Sequence, residues 1–185
     1  MLVDALSQAQ APLLAKPYYE GGDPGPIAAT MAQVPELLEV ALPFIATALG
    51  ASSISFRTKE IVIVRTSALL GCRYCIDSHT AVALDSGLTH GQVRALRNEN
   101  GSSIEDHFDD ERERALIEWN DAVAGGTGAL PERANSSVKK HFADHEIVEL
   151  TILIGTTMLL NRYATALQLP VGESTIERLI QEGFQ

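Results

Sequence analysis

Two cysteines, a histidine and a carboxylate stand at spacings that suit thiol redox chemistry. Cys72 and Cys75 are the only cysteines among 185 residues and share the segment Gly71-Cys72-Arg73-Tyr74-Cys75-Ile76-Asp77-Ser78-His79, with Glu60 twelve positions before the first sulfur. On a helix Cys72 and Cys75 are i and i+3, and Cys75 and His79 are i and i+4, so all three side chains share one face. A thiol reacts as its thiolate, and an ordinary pKa of about 8.5 leaves only a small fraction ionised at neutral pH unless a helix N-terminus or a base assists. Both aids are in place here. Cys72 falls in the first turn of its predicted helix, where unpaired N–H groups favour an anion. His79 is placed to take the proton of Cys75, and Glu60 to orient the imidazole or relay the proton.

Two sulfurs at this spacing lie within the reach of a disulfide, so oxidation of one thiol can be resolved by the other. Attack on a peroxide oxygen would give a sulfenic acid, the partner thiol would expel water, and an external dithiol would reduce the resulting disulfide. The same residues admit other uses. Thiolates and imidazole are zinc ligands, but a closed site needs a fourth ligand, and the chain has no second CxxC; His90, His107, His141 and His145 are scattered. A thioredoxin-like exchange site would follow a strand in a βαβ setting, which the pattern lacks. General thiol–disulfide exchange on a helical scaffold and a structural role for two small buried thiols also remain open.

The elements that must position these groups read as helices. Residues 1–34, interrupted by Pro12, Pro17, Pro24, Pro26 and Gly21-Gly22, form an N-terminal arm in which the prolines and glycines break any helix. Leu13, Leu14, Tyr18 and Tyr19 call for a surface to pack on, so the arm is expected to wrap over the domain or a neighbouring subunit. From Pro35 the recurrence of Leu37, Leu38, Ala41, Leu42, Ile45 and Leu49 predicts an amphipathic helix ending at Gly50. The β-branched run Ile61 to Val64 suits a strand, yet no second strand exists to pair with it, and residues 57–70 are expected to form a buried helix.

Gly71 punctuates, and a second helix carries Cys72 to about Ser86 before Gly87. Thr89 caps a helix through Leu96, Ile104 to Val123 forms another, and Pro131 starts one to about Phe142. Asp144 caps a long helix over His145 to about Leu169, stopped by Pro170, and Ser174 to Ile180 forms the last. The expectation is one all-α, multihelical domain over 35–185 with seven or eight helices. Glu60-Ile61-Val62 recurs as Glu146-Ile147-Val148 at an offset of 86, which would make the fold a degenerate duplication of helical halves. At that offset Cys72, Cys75 and His79 meet Met158, Asn161 and Thr165, so the second half would have lost the chemistry.

Bulk properties exclude several classes. Net charge is −10, from 14 Lys+Arg against 24 Asp+Glu, so no basic stripe is available for nucleic acid. The longest apolar stretch, residues 147–160, holds Glu149 and is shorter than the roughly 20 residues a membrane span needs. Met1-Leu2-Val3-Asp4 has neither the cationic start nor the apolar run of a secretory signal, and a cytoplasmic location is expected. Gly125-Gly126-Thr127-Gly128 lacks the flanking strand of a nucleotide loop.

The pattern Glu60-x11-Cys72-x2-Cys75-x3-His79 resembles the alkylhydroperoxidase D-like proteins of the carboxymuconolactone decarboxylase superfamily. The resemblance covers roughly residues 35–100, and Asn161-Arg162-Tyr163-Ala164-Thr165-Ala166-Leu167 is similar to a later segment of the peroxidase-related branch. It implies an all-helical subunit that self-associates as a dimer, trimer or hexamer and reduces organic hydroperoxides with a dithiol reductant or adaptor protein, without a cofactor or metal. By that resemblance Cys75 is the peroxide-attacking thiol, Cys72 the more exposed resolving thiol, His79 the base beside Cys75 and Glu60 the relay carboxylate. The helix dipole alone favours Cys72 as the ionised thiol, whereas the imidazole one turn from Cys75 favours Cys75. The family pattern has a histidine just before the second cysteine where this chain has Tyr74, whose hydroxyl is placed to hydrogen-bond a substrate oxygen or to pack at the site rim. The superfamily also includes decarboxylases, whose chemistry has no evident need for paired thiols.

Overall fold

Helical punctuation carries through into the structure, a computed structural model that describes residues 1–99 and 101–184. Among the described residues a 3₁₀ segment, Leu13–Tyr19, precedes ten α-helices. These are α1 (Gly25–Met31), α2 (Pro35–Leu49), α3 (Phe56–Leu70), α4 (Arg73–Asp85), α5 (His90–Leu96), α6 (Ile104–His107), α7 (Glu111–Gly125), α8 (Glu132–His141), α9 (Asp144–Leu167) and α10 (Glu173–Gln181). No strand occurs among the described residues, and the all-α architecture is as expected.

The β-branched run of α3 is helical because it is enclosed. Ile61, Val62, Ile63 and Val64 are at most 3% exposed, and α3 packs against α4, α7 and α9 at once. Burial on every face outweighs the few tenths of a kcal/mol per residue by which β-branching disfavours a helix. Around this axis Leu116, Ile117 and Trp119 of α7 and Leu150, Leu153 and Ile154 of α9 complete the main core. Lys59 is buried beside it: its ammonium pairs with Glu149 at 2.9 Å and donates to the carbonyls of Ala48 and Gly50, which ties the end of α2 to α3 and α9. Burial pushes the Glu149 carboxyl up, but hydrogen bonds from Ser52 and Lys59, with the ammonium charge, hold it below its ordinary value.

Four expectations change. The helix drawn over Ile104 to Val123 is two: Phe108 turns into the core with extended backbone, and the Asp110 side chain accepts from the N–H groups of Arg112 and Glu113 to start α7 afresh. Asp144 is the first residue of α9 rather than its cap; the cap position is Ala143, whose N–H donates to Glu146 at 2.8 Å. The arm is partly helical: Pro26, at the second position of α1, lacks only an N–H that has no partner within the helix, and Pro17 is accommodated inside the short 3₁₀ segment. The arm does pack on the domain, but through small residues. Ala11, Ala15, Ala28 and Ala32 join Tyr19 and Leu38 in a second cluster, while Leu13 is 80% exposed.

At the proposed repeat offset, Gly71 corresponds to Thr157. Gly71 is a left-handed turn between two helices, whereas Thr157 lies inside the unbroken α9 with its hydroxyl donating to the Leu153 carbonyl. The second segment runs straight where the first bends.

Candidate active site

Gly71 delivers the cysteines. With φ +66° it occupies the left-handed region, where a side chain would be strained. Its N–H and that of Cys72 close the end of α3 by bonding the Ala68 and Ser67 carbonyls at 3.2 and 3.0 Å. The chain therefore leaves α3 in a fixed direction, and Cys72 becomes the N-cap of α4, one position before the first turn in which the sequence places it. Its Sγ accepts from the Cys75 N–H at 3.3 Å. The two cysteines are joined as a disulfide, with Cα atoms 5.4 Å apart.

His79 follows Cys75 by one turn of α4, and Glu60 approaches from α3. The imidazole Nδ1 lies 3.0 and 3.2 Å from the two carboxylate oxygens. The Glu60 side chain is 5% exposed and that of His79 26%. A carboxylate only accepts, so Nδ1 carries the hydrogen, and in the neutral ring the lone pair falls on Nε2, the tautomer of a base. The structure thus brings Glu60 to His79 and Cys72 to Cys75, and α4 sets these two pairs one turn apart.

α4 is itself clamped. Asp77, on the helix between Cys75 and His79, is buried and bound by Arg73 and by Arg97, which also donates to Thr80 and joins Glu99. This ion-pair network locks α4 to the end of α5. It escaped the sequence reading, because Asp77 resembles any exposed helical acid until Arg97 is packed over it.

Neither sulfur is exposed. Cys72 is 1% accessible and Cys75 5%, which corrects the expectation of an exposed resolving thiol. They are covered by Tyr74 and by groups distant in sequence: Ile27 of α1, and Tyr163, Ala164, Leu167 and Leu169 at the end of α9. Tyr74 lies against the cysteines with its phenol pushed up by burial, partly opposed by a hydrogen bond from Ser78, so the hydroxyl keeps its proton across the neutral range. Among the described residues no three His, Cys, Asp or Glu side chains gather as a metal site, and no helix is long and apolar enough to cross a membrane.

The site is thus a CxxC at the start of one helix, with a His one turn on facing a Glu from the helix before, in an all-helical frame. Residues 35–102 match the carboxymuconolactone decarboxylase family, and the resemblance to its AhpD-like members extends to the fold. It is 28% identical over 117 residues to the uncharacterized protein YdfG of Bacillus subtilis, covering 63% of this chain and 77% of that protein. A protein of Agrobacterium tumefaciens, a candidate antioxidant defence protein AhpD, is 27% identical and superposes with a TM-score of 0.68 over 77% of this chain and 95% of the other. The debrominase Bmp8, solved with 2,3,4-tribromopyrrole, shares the fold at a TM-score of 0.79 over 98% of this chain and 97% of its own, with 20% identity.

Proposed function

We propose that this chain is a thiol peroxidase that reduces organic hydroperoxides through a Cys72/Cys75 dithiol–disulfide cycle. The observation that carries this reading is the Glu60–His79 pair, set one turn from a cysteine already joined to its neighbour. In the reduced state Nε2 of His79 takes the Cys75 proton while Glu60 holds the Nδ1–H. The Cys75 thiolate attacks the terminal peroxide oxygen; the S–O bond forms, the O–O bond breaks, and the leaving alkoxide takes the proton from His79 to depart as an alcohol. The Cys72 thiolate then attacks the sulfenic sulfur of Cys75, and the hydroxyl leaves as water with the proton Cys72 gave up. An external dithiol returns two electrons and two protons. Apolar groups around the sulfurs suit an organic peroxide over hydrogen peroxide, and the Tyr74 hydroxyl is the donor for its oxygen.

The test is one equivalent of cumene hydroperoxide added to the reduced protein, followed by thiol titration and mass spectrometry. Two thiols lost per peroxide, with no consumption by Cys75→Ser and an added oxygen atom retained on Cys72→Ser, is the expected result. Unchanged rates in both variants would falsify the assignment.

Self-association is the second part of the reading. α2 is almost wholly apolar yet buries only Leu38 and Ala48, leaving Leu37, Val40 and Phe44 at least half exposed. α9, packed beside it, presents Val148, Ile152, Gly155 and Leu159 along one exposed stripe. Such a continuous face fits a second copy of the chain. Light scattering is expected to give a multiple of 19.9 kDa that falls toward one subunit in Val40→Asp/Phe44→Asp; a single-subunit mass for the unaltered chain rules it out.

A further inference from the structure

The N-terminal arm packs against the cluster that holds the disulfide, and it is fastened at identifiable points. Ile27 of α1 lies in the cluster around Cys72 and Cys75, and two hydrogen bonds cross from the arm to the end of α9. The Leu2 N–H donates to the Leu167 carbonyl at 2.9 Å. The Thr30 and Tyr163 hydroxyls are 2.9 Å apart, and since the single Thr30 proton goes to the Pro26 carbonyl at 2.7 Å, Tyr163 is the donor. Tyr163 and Leu167 both belong to the cover over the sulfurs. The rest of the arm is laced by its own hydrogen bonds and packed on α2: the Leu6 N–H donates to the Ala29 carbonyl, the Tyr19 hydroxyl to the Leu6 carbonyl and the Gln33 amide to the Asp4 carbonyl. Its alanine-rich cluster reaches the body through Leu38 and Leu42 of α2 and is separate from the main core.

A reductant must bring a thiolate into line with the S–S bond, and a cysteine as buried as Cys72 offers no such approach. We propose that the arm, residues 1–32, is a latch over the dithiol: it parts from the end of α9 before an external dithiol reaches Cys72, and the Tyr163–Thr30 and Leu2–Leu167 bonds set how readily it parts. In the open state an external thiolate attacks Cys72 Sγ, the Cys72–Cys75 bond breaks, and Cys75 leaves as a thiolate that is then protonated. The mixed disulfide resolves when the second external thiolate attacks the external sulfur and frees Cys72. The reductant ends as a disulfide and the protein as two thiols. Because its other contacts are within itself and to α2, the arm can part from the end of α9 while keeping them, and the main core is untouched.

The inference rests on the dithiol–disulfide reading, and its test is read without peroxide. The oxidised full chain is mixed with dithiothreitol, and separately with a thioredoxin-type protein dithiol, while thiol release is followed over time. Tyr163→Phe keeps the ring and removes the donor; Leu2→Pro removes the other N–H at an exposed position. Each variant is expected to be reduced about three- to ten-fold faster by both reagents, the effect of losing one hydrogen bond, with the melting temperature of the main transition unchanged. Equal rates for the unaltered chain and both variants overturn the latch, as does acceleration that merely follows a lowered melting temperature. Failure to consume peroxide leaves an accelerated reduction standing, and equal reduction rates in an active peroxidase remove the latch alone.

Discussion

Glu60-Ile61-Val62 and Glu146-Ile147-Val148 are the same tripeptide near the start of two long apolar helices, and their carboxylates do different work. Glu60 is the fifth residue of α3, beyond the first turn, where the backbone N–H groups are already paired within the helix. Its buried carboxylate is left to a side-chain partner and meets His79 of α4. Glu146 is the third residue of α9, within reach of an unpaired donor, and its carboxylate turns back to the Ala143 N–H and pairs with Arg112. Two residues of helix register therefore decide whether an acid is used up by the backbone or left to a side-chain partner. The helices differ in their surroundings too: α3 is enclosed by α4, α5, α7 and α9, while α9 shows solvent a stripe through Val148, Ile152 and Leu159.

The largest effect expected from this difference is on turnover. Glu60→Gln leaves the imidazole with a partner of the same shape but no charge to stabilise its protonated form, and peroxide consumption should fall about 10²-fold. Glu146→Gln should leave it unchanged. Steady-state rates with cumene hydroperoxide make the measurement, and equal losses in the two variants would remove the distinction between the acids.

Much of this arrangement is legible in the sequence because it is local. Pro35, Gly50, Gly71 and Gly87 mark helix ends by backbone restrictions that no distant contact alters. Cys72, Cys75 and His79 share one helix, so their spacing alone sets them on one face. What comes from far along the chain is not legible in that way. The lid over Cys72 is built from Ile27, Tyr163 and Leu169, and nothing near the CxxC announces it. Lys59 looks like a surface lysine until the carbonyls at the end of α2 are placed around its ammonium. The split at Phe108 is likewise tertiary: an aromatic ring with room in the core pulls the chain out of a helix that the charge pattern favours.

The next effect is on stability. Val62 is fully buried and Val148 is 64% exposed, although each is the third residue of the shared tripeptide. Val62→Ala removes two methyl groups from an enclosed position and should cost about 2 kcal/mol. Val148→Ala should stay within about 0.5 kcal/mol for the isolated subunit. Urea denaturation of both, at a concentration where one subunit mass is measured, compares them directly. A cost above 1 kcal/mol for Val148→Ala, roughly twice that bound, would mean that the face is already covered in the species being unfolded.

The smallest effect tests the structural acid itself. The Glu146 carboxyl is held below its ordinary value of 4.5, first by the Ala143 N–H and then by Arg112. A carboxyl lowered by folding adds stability that is complete above its unfolded value and is lost as pH falls through its folded one. Glu146→Gln keeps an oxygen for the Ala143 N–H and discards the charge, so its cost reports the ionic part alone. With the Arg112 side chain 48% exposed to screening solvent, that part is about 0.5 kcal/mol. The gap between the unaltered chain and the variant should therefore be open at pH 7 and close as pH falls below 4.5. Denaturant midpoints measured across that range follow it, and a gap that persists at the acid end would assign the loss to the shape of the side chain rather than to its charge.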